Sequence, residues 1–569
     1  MVIRMTIKEF VAQKIQAAVP ELDLNTVMGM LEIPPDKKMA DYAFPCFRLA
    51  KQLRKAPALI AKDIAAALTD DGFEKVEAVG PYVNMFVNKV KAVELVTAAF
   101  TAQENFGSSD EGKGKTIVLD YSSINIAKPF HIGHLRTTVI GNSIHKLYRY
   151  LGYDTVRVNH LGDYGTQFGK LVVAYRKWGN KELVESQGIQ GLLDLYVRFH
   201  AEAKENPALD DEARATFTAL EHGDPEIYAI WKWFVDLSLK EVSKVYELLD
   251  VQFDSYNGES FYMDKVDGVV QALKERNLLE ESDGAMIVDL SASDMPPCLV
   301  LKKDGSSLYH TRDLAAAMYR KNTYDFHKCI YVTAFDQGLH FAQFFKVLEM
   351  MGFEWSKDLI HVPYGLVSLE SGKLSTRGGN VVFLKDLLDE AIAKTKQIIM
   401  EKNPELENVD EVAKQVGVGA VIFNDLFNNR IKDVTFSWNK VLNFDGETGP
   451  YVQYTFARAS SILRKSGYEF NAEDIKGEQL SDEYAQDILK IIEEFPMKVK
   501  EAAERLEPYI ITRYTVSLAS AFNKFYHENS IMNADNEETK KARLALTKMV
   551  TVVLKQGLSL IGVQAPEKM

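Results

Sequence analysis

Apolar positions follow two periods along the chain. Residues 116–121 (TIVLDY) read as a buried strand. Leu135, Ile140, Ile144, Leu147 and Leu151 then recur at helical spacing until Gly152, which supplies a C-terminal stop. Residues 155–159 (TVRVN) read as the next strand. Strand, loop, helix, strand is a βαβ unit, whose handedness rule sets its strands parallel in one sheet with the ligand site at their carboxyl ends. A second unit follows far downstream: strand 328–334 (KCIYVTA), helix 339–351, a stop at Gly352 and strand 359–363. The pattern predicts an α/β fold whose doubly wound parallel sheet is split in sequence. Residues 170–297 are rich in helix formers, with Trp231, Phe234, Leu237, Val242 and Val245 on one apolar stripe, and read as a helical insertion. Beyond about residue 391 strand signals fade, and patterns such as 484–506 and 510–526 predict an all-α end.

Residues 107–115 (GSSDEGKGK) are Gly-, Ser- and charge-rich between two apolar-patterned regions, which marks a boundary after an N-terminal unit. The expected division is 1–106, then 116–390 with its insertion at about 170–297, then 391–569. A length of 569 residues excludes a single small binding module. With 46% hydrophobic and 26% charged residues, the chain has apolar area for several cores and is not disordered. No apolar run approaches the ~18 residues of a membrane span, and the opening MVIRMTIKEF carries charge where a secretory leader needs an apolar segment, so a cytoplasmic protein is expected. Cys46, Cys298 and Cys329 are too far apart for a CxxC zinc site or a disulfide framework. The net charge of −13 argues against nucleic acid as a partner, although a chain this long can gather Lys and Arg on one face.

Chemistry concentrates in the loop after the first strand, residues 122–134 (SSINIAKPFHIGH). Two histidines three apart, His131 and His134, open the helix that follows. Helix N-terminal N–H groups and the macrodipole favour an anion there, and Gly133 allows a flat ring to approach the backbone, so a nucleotide phosphate fits. A metal site lacks further ligands in a local pattern, and a packed core is at odds with Lys128 and two serines in the same loop.

His131-Ile132-Gly133-His134 resembles the HIGH signature of class I aminoacyl-tRNA synthetases, and SSINIAKPFHIGHLRTTVIGN is similar to its arginyl-tRNA synthetase form. Residues 159–169 (NHLGDYGTQFG), 308–313 (LYHTRD), 336–345 (DQGLHFAQFF), 446–458 (GETGPYVQYTFAR) and the ending APEKM resemble that family in order. The second class I signature, KMSKS, is represented by residues 373–377 (KLSTR), with Thr376 in place of the second lysine and Gly378 following; a solvated basic loop is the plain alternative there.

The resemblance implies a Rossmann-like catalytic domain, an N-terminal α+β domain that touches tRNA and a helical anticodon-binding domain. It implies a monomer that joins L-arginine to its tRNA with ATP and Mg²⁺, the metal held through ATP phosphates. Such chemistry needs positive and hydrogen-bonding groups aimed at phosphate oxygens rather than a nucleophilic side chain. His131, His134, Lys128, Lys373 and Arg377 are of that type. ATP is expected at His131, Gly133, His134, His340, Lys373 and Ser375. A guanidinium, a planar fork of donors, needs carboxylate acceptors. By resemblance Tyr309, Asp313 and Glu259 line that pocket, Asn125 and Gln337 hold the α-amino group, Ser123 and His134 lie beside the carboxylate, and Ile124 joins the set. Each could instead be structural, Asp313 as a helix-start acid among them. For tRNA, Arg48, Lys51, Arg54 and Lys55 form a modest basic cluster. Tyr451, Tyr454 and Phe456 near Arg458, and Phe522, Phe525 and Tyr526 near Lys524, mix stacking surfaces with charge. Two rivals remain: a class I synthetase for another amino acid, and a catalytically silent relative that binds arginine or RNA.

Overall fold

A computed structural model of the chain describes residues 5–36, 38–101, 105–303, 305–369 and 382–569. The central sheet has four parallel strands in the spatial order Leu359–Tyr364, Lys328–Ala334, Thr116–Asp120, Asp154–Val158. Chain order reverses between Thr116–Asp120 and Lys328–Ala334, so a crevice opens beyond their carboxyl ends. The two central strands carry the buried apolar runs Ile117–Leu119 and Cys329–Val332 because both of their faces are covered. On one face Ile117, Leu119, Ile330 and Val332 meet Leu135, Val139, Ile140 and Ile144 of the helix Gly133–Tyr150. On the other, Val118 and Cys329 meet Leu314, Phe344 and Val347 from the helices Tyr309–Tyr324 and Gly338–Met350. Gly152 and Gly352 end their helices at φ of 82° and 84°, where a side chain would be strained.

The insertion is mostly helical, built on the 25-residue helix Pro225–Leu249, whose Phe234 and Leu237 pack with Leu171, Val172 and Phe199. It also contains an antiparallel sheet of Glu280–Ser282, Ala285–Val288 and Cys298–Leu301, which corrects the expectation of helices throughout. Strands of three or four residues, the first wholly exposed, carry no alternation to read.

The N-terminal unit is α+β, a sheet of Tyr42–Pro45, Tyr82–Val87 and Phe73–Val79 packed with helices. Residues 107–115 are docked rather than free: Ser109 and Gly112 donate backbone N–H groups to Tyr150 and Leu151 at 3.2 and 3.0 Å, and Glu111 pairs with Lys500 at 3.0 Å. The helix Leu384–Lys402 runs unbroken through residue 391. Past it the short strand Val434–Phe436 pairs in parallel with Val367–Leu369 before helices take over. None of the described helices is long and apolar enough to cross a membrane.

Candidate active site

The loop leaving the strand Thr116–Asp120 is strained. Ser122, Ser123 and Ala127 have φ of 69°, 40° and 58°, each costing about 1–2 kcal/mol for a non-glycine residue. The surroundings hold all three in place. The Ser122 N–H donates to Thr137 Oγ1 at 3.0 Å and its hydroxyl meets Thr138 and Tyr246 at 2.9 and 2.7 Å. The Ser123 hydroxyl donates to Asp120 Oδ1 at 2.6 Å, and the Ala127 N–H donates to Ser238 Oγ at 3.1 Å. Gly162 packs so closely on the loop that a Cβ there would sit 2.4 Å from Asn125 Oδ1.

At the loop's end, His131 Nδ1 accepts the Gly133 N–H at 3.0 Å and His134 Nδ1 accepts the His131 N–H at 3.2 Å. Both accepting nitrogens are therefore bare, which assigns the proton to Nε2 in each ring. The rings lie 4.1 Å apart, and Phe130 stacks on His134 at 5.2 Å. Burial, with the neighbouring His131, pulls His134 down to about 3, and burial also lowers His131. Two neutral Nε2–H donors thus stand at a helix N-terminus, which suits phosphate oxygens. The side of Gly133 that a Cβ would occupy holds the His131 imidazole, 2.8 Å away, so this glycine accommodates a protein ring and not a ligand ring. Farther along this helix the buried Arg136 donates to the carbonyls of Gly365 and Lys432 at 3.0 and 2.7 Å and pairs with Asp425, fixing the helix to the segment before the second signature.

The crevice is a cleft of about 570 Å³ that Ser123, Asn125, His134, Glu259, Tyr309, Asp313, Gln337 and His340 all line. Asp313, in the second turn of the helix Tyr309–Tyr324 and so not a helix-start acid, accepts from His340 Nε2 at 2.7 Å and has His160 at 3.8 Å. Burial pushes its pKa up, but the hydrogen bond from His340, with the nearby His160 and Arg320, outweighs this and holds the carboxyl below the ordinary range. His340 lines the same cleft as His134, with its Nε2 turned to Asp313. Glu259 pairs with Arg312 at 2.8 Å, and burial keeps its carboxyl raised despite that cation.

Ile124 is 2% exposed and does not line the cleft; its backbone carbonyl accepts the Gly162 N–H at 2.8 Å. Lys128 lies against Gln167, Phe168, Leu171 and Tyr196 in a separate small hollow. Lys373, Ser375 and Arg377, with Thr376 and Gly378, lie outside the described residues. Sequence reasoning missed Asp120, His160, Tyr331 and Asp336, which also line the cleft. Asp120, paired at 2.7 Å with the buried Arg320, had a usable signal: a carboxylate closing an apolar strand run. Among the described residues no group of three or more His, Cys, Asp or Glu could hold a metal ion.

A second cleft, of about 1280 Å³, lies in the C-terminal helices. Tyr454 and Tyr526, 42% and 43% exposed, flank the Arg458 guanidinium there at 4.9 and 5.4 Å. Phe456, Phe522 and Phe525 are core, and Tyr451 is half-buried with its hydroxyl accepting from Asn523. In the N-terminal unit Arg48, Lys51, Arg54 and Lys55 are exposed, with Arg48 facing Glu32 and Lys55 paired with Asp63.

The family model for tRNA synthetases class I (R), catalytic domain, matches residues 96–438. Those for the arginyl tRNA synthetase N terminal domain and the DALR anticodon binding domain match 5–87 and 452–569. The chain is 55% identical to the arginine–tRNA ligase of Clostridioides difficile (strain 630) and 52% identical to that of Alkaliphilus metalliredigens (strain QYMF), with 99% of each chain covered in both cases. Its fold is shared with the arginyl-tRNA synthetase of Thermus thermophilus, at a TM-score of 0.81 and 23% identity over 99% of this chain and 100% of that one. The Plasmodium falciparum arginyl-tRNA synthetase gives 0.79 and 25% over 99% of both. Matched end to end, and carrying its histidine pair at the start of the switch-point helix of a split parallel sheet, the chain belongs to the arginyl-tRNA synthetases of class I.

Proposed function

We propose that this chain ligates L-arginine to its cognate tRNA. In the first step the arginine carboxylate attacks the α-phosphate of ATP and pyrophosphate leaves; in the second, a hydroxyl at the tRNA 3′ end takes the arginyl group and AMP leaves. The observation that carries the reading is the presence of two carboxylates, Asp313 and Glu259, in the same cleft as His134. Anionic acceptors suit a cationic side chain, while the Nε2–H donors of His134 and His131 suit charge developing on phosphate oxygens. Tyr309 walls the guanidinium site, Asn125 and Gln337 take the α-amino group, and Ser123 lies beside the carboxylate. Lys128, Lys373, Ser375 and Arg377 belong to the phosphate side. Mg²⁺ arrives on the triphosphate, bound by its oxygens. We assign tRNA contact to residues 1–106 and to the helical region after residue 390, with Tyr454, Arg458 and Tyr526 as a stacking surface, and chemistry to 116–390, in a monomeric cytoplasmic enzyme.

Arginine-dependent exchange of pyrophosphate into ATP, run with and without tRNA, tests this reading. Exchange is expected only with tRNA present, because the KLSTR segment has one lysine fewer than the full signature. Exchange equal in both arms removes the tRNA requirement, and exchange in neither identifies a silent relative. Specificity has its own test. Asp313→Asn keeps size but turns amide donors toward a cation, removing a charge-assisted hydrogen bond of roughly 1.5–3 kcal/mol. Arginine kcat/KM is expected to fall at least about tenfold, with lysine a poor substrate for the parent because a compact ammonium cannot satisfy planar acceptors. An unchanged arginine value moves Asp313 out of the pocket.

A further inference from the structure

The two pocket carboxylates are each already engaged by a protein donor, and in both cases through one oxygen. Asp313 uses Oδ2 on His340 Nε2 at 2.7 Å, while His160 stands 3.8 Å from Oδ1, beyond hydrogen-bond reach. Glu259 uses Oε2 on Arg312 Nη2 at 2.8 Å. Both donors are fixed from behind. The His340 ring is boxed by Tyr309, His310, Phe341 and Phe344 at centroid separations of 4.9, 4.5, 5.2 and 5.4 Å. Its Nδ1 is buried without a partner. A bare nitrogen is the less costly orphan, so the proton belongs on Nε2, where it is donated. Arg312 stacks on Tyr164 at 5.4 Å.

We infer that Arg312 and His340 are positioning residues that set arginine specificity, each holding one oxygen of a pocket carboxylate so that the other faces the substrate guanidinium. The inference rests on the arginine reading above and assigns neither residue a contact with substrate. It has a charge consequence. Of the two negative charges that Asp313 and Glu259 carry, Arg312 opposes the one on Glu259, and the one on Asp313 is left to answer the guanidinium. A pocket left with both charges unopposed in a half-buried site would take up a proton instead. Glu259 is the group that would do so. Burial already raises its carboxyl, and the charges facing it are Arg312 and Asp313 from one helix and His160 and Asp163 from the neighbouring loop, of which Arg312 opposes the rise most.

The test is aminoacylation of tRNA by the full-length chain across pH 6–8.5, comparing the parent with Arg312→Gln, Arg312→Lys, His340→Phe and His340→Gln, each checked for unchanged circular dichroism. Arg312→Gln is expected to raise the arginine KM about tenfold, leave kcat and the ATP KM near parental values, and move the acid limb of arginine kcat/KM to higher pH. Arg312→Lys, a point charge without the fork, recovers part of the loss and restores the limb. His340→Gln retains a donor near Nε2 and stays close to the parent, whereas His340→Phe loses about tenfold in KM. The assignment is overturned for Arg312 if its Gln variant keeps the parental KM and acid limb, and for His340 if the Gln and Phe variants behave alike. A parent that charges a different amino acid overturns the substrate reading itself, and only the parent arm reports that.

Discussion

His134→Ala is expected to lower kcat for arginyl-adenylate formation by about 10²–10³-fold, the scale on which loss of one preorganised donor is felt. The ring lines the cleft, and its Nδ1 is committed to the His131 N–H, so the atom left for a ligand is the Nε2–H. Because burial pulls His134 to about 3, the ring is neutral throughout the working range, and the group lost is a hydrogen-bond donor and not a charge. Two consequences separate this role from general acid catalysis. The kcat–pH profile should show no limb that disappears with the histidine, and His134→Gln, which keeps a donor near Nε2, should recover part of the loss that alanine causes. His131→Ala should behave alike, since its Nδ1 is likewise committed to the Gly133 N–H. Single-turnover adenylate formation with saturating arginine, ATP and tRNA, alongside tRNA binding and circular dichroism, gives the measurement. If both alanine variants keep near-parental turnover, the pair only shapes the helix start.

The parts of this molecule legible in the sequence are those with a repeating signal. Strand 328–334 was legible because its middle, Cys329–Val332, is an unbroken apolar run buried between two covered faces. The helix after His131 was read because its apolar stripe and Gly152 mark both its buried face and its end. The sheet at 280–301 was not legible, since its exposed first strand has no pattern to show. Pairing of Val434–Phe436 with Val367–Leu369 was not either, because three residues at a sequence distance of 67 leave no local trace.

The site divides the same way. Residue types in the loop and in LYHTRD pointed to phosphate and guanidinium chemistry, and seven of the eight expected arginine-site residues line one cleft, Ile124 being the exception. Partnership was the hidden variable. Nothing in the spacing of residues 259, 312, 313 and 340 says that Arg312 answers Glu259 and that His340 answers Asp313, because those pairs form only when helices distant in sequence meet. His340 reads in the sequence only as a residue that opens a helix, and its hydrogen bond to Asp313 is set by tertiary packing.

The same packing makes the sheet domain acid-sensitive, and the sign follows from which form burial favours. His134 and His145 are pulled down to about 3, and His310 and His361 to about 4, in every case chiefly by burial. An unfolded histidine titrates near 6.5, so the unfolded chain takes up protons below that pH while the folded chain refuses them until pH 4 or 3. Stability is therefore complete above about pH 6.5 and is lost as pH falls, by about 1.4 kcal/mol per pH unit for each ring. Glu493 acts in the opposite sense: buried and accepting from the Ile7 N–H, it is raised to about 7, so its protonation stabilises the fold as pH falls toward 4.5. Carboxyls raised by burial, Glu493 and Glu259 among them, offset part of this, and the four imidazoles leave a net loss of stability between pH 7 and 5. Urea unfolding at pH 7 and pH 5 is expected to show a marked fall in midpoint. His145→Gln, which removes one titrating ring from a position outside the cleft, should lose less over the same interval. Equal midpoints at the two pH values would mean that these rings accept protons in place, and the buried neutral tautomers assigned to the site would have to be given up with them.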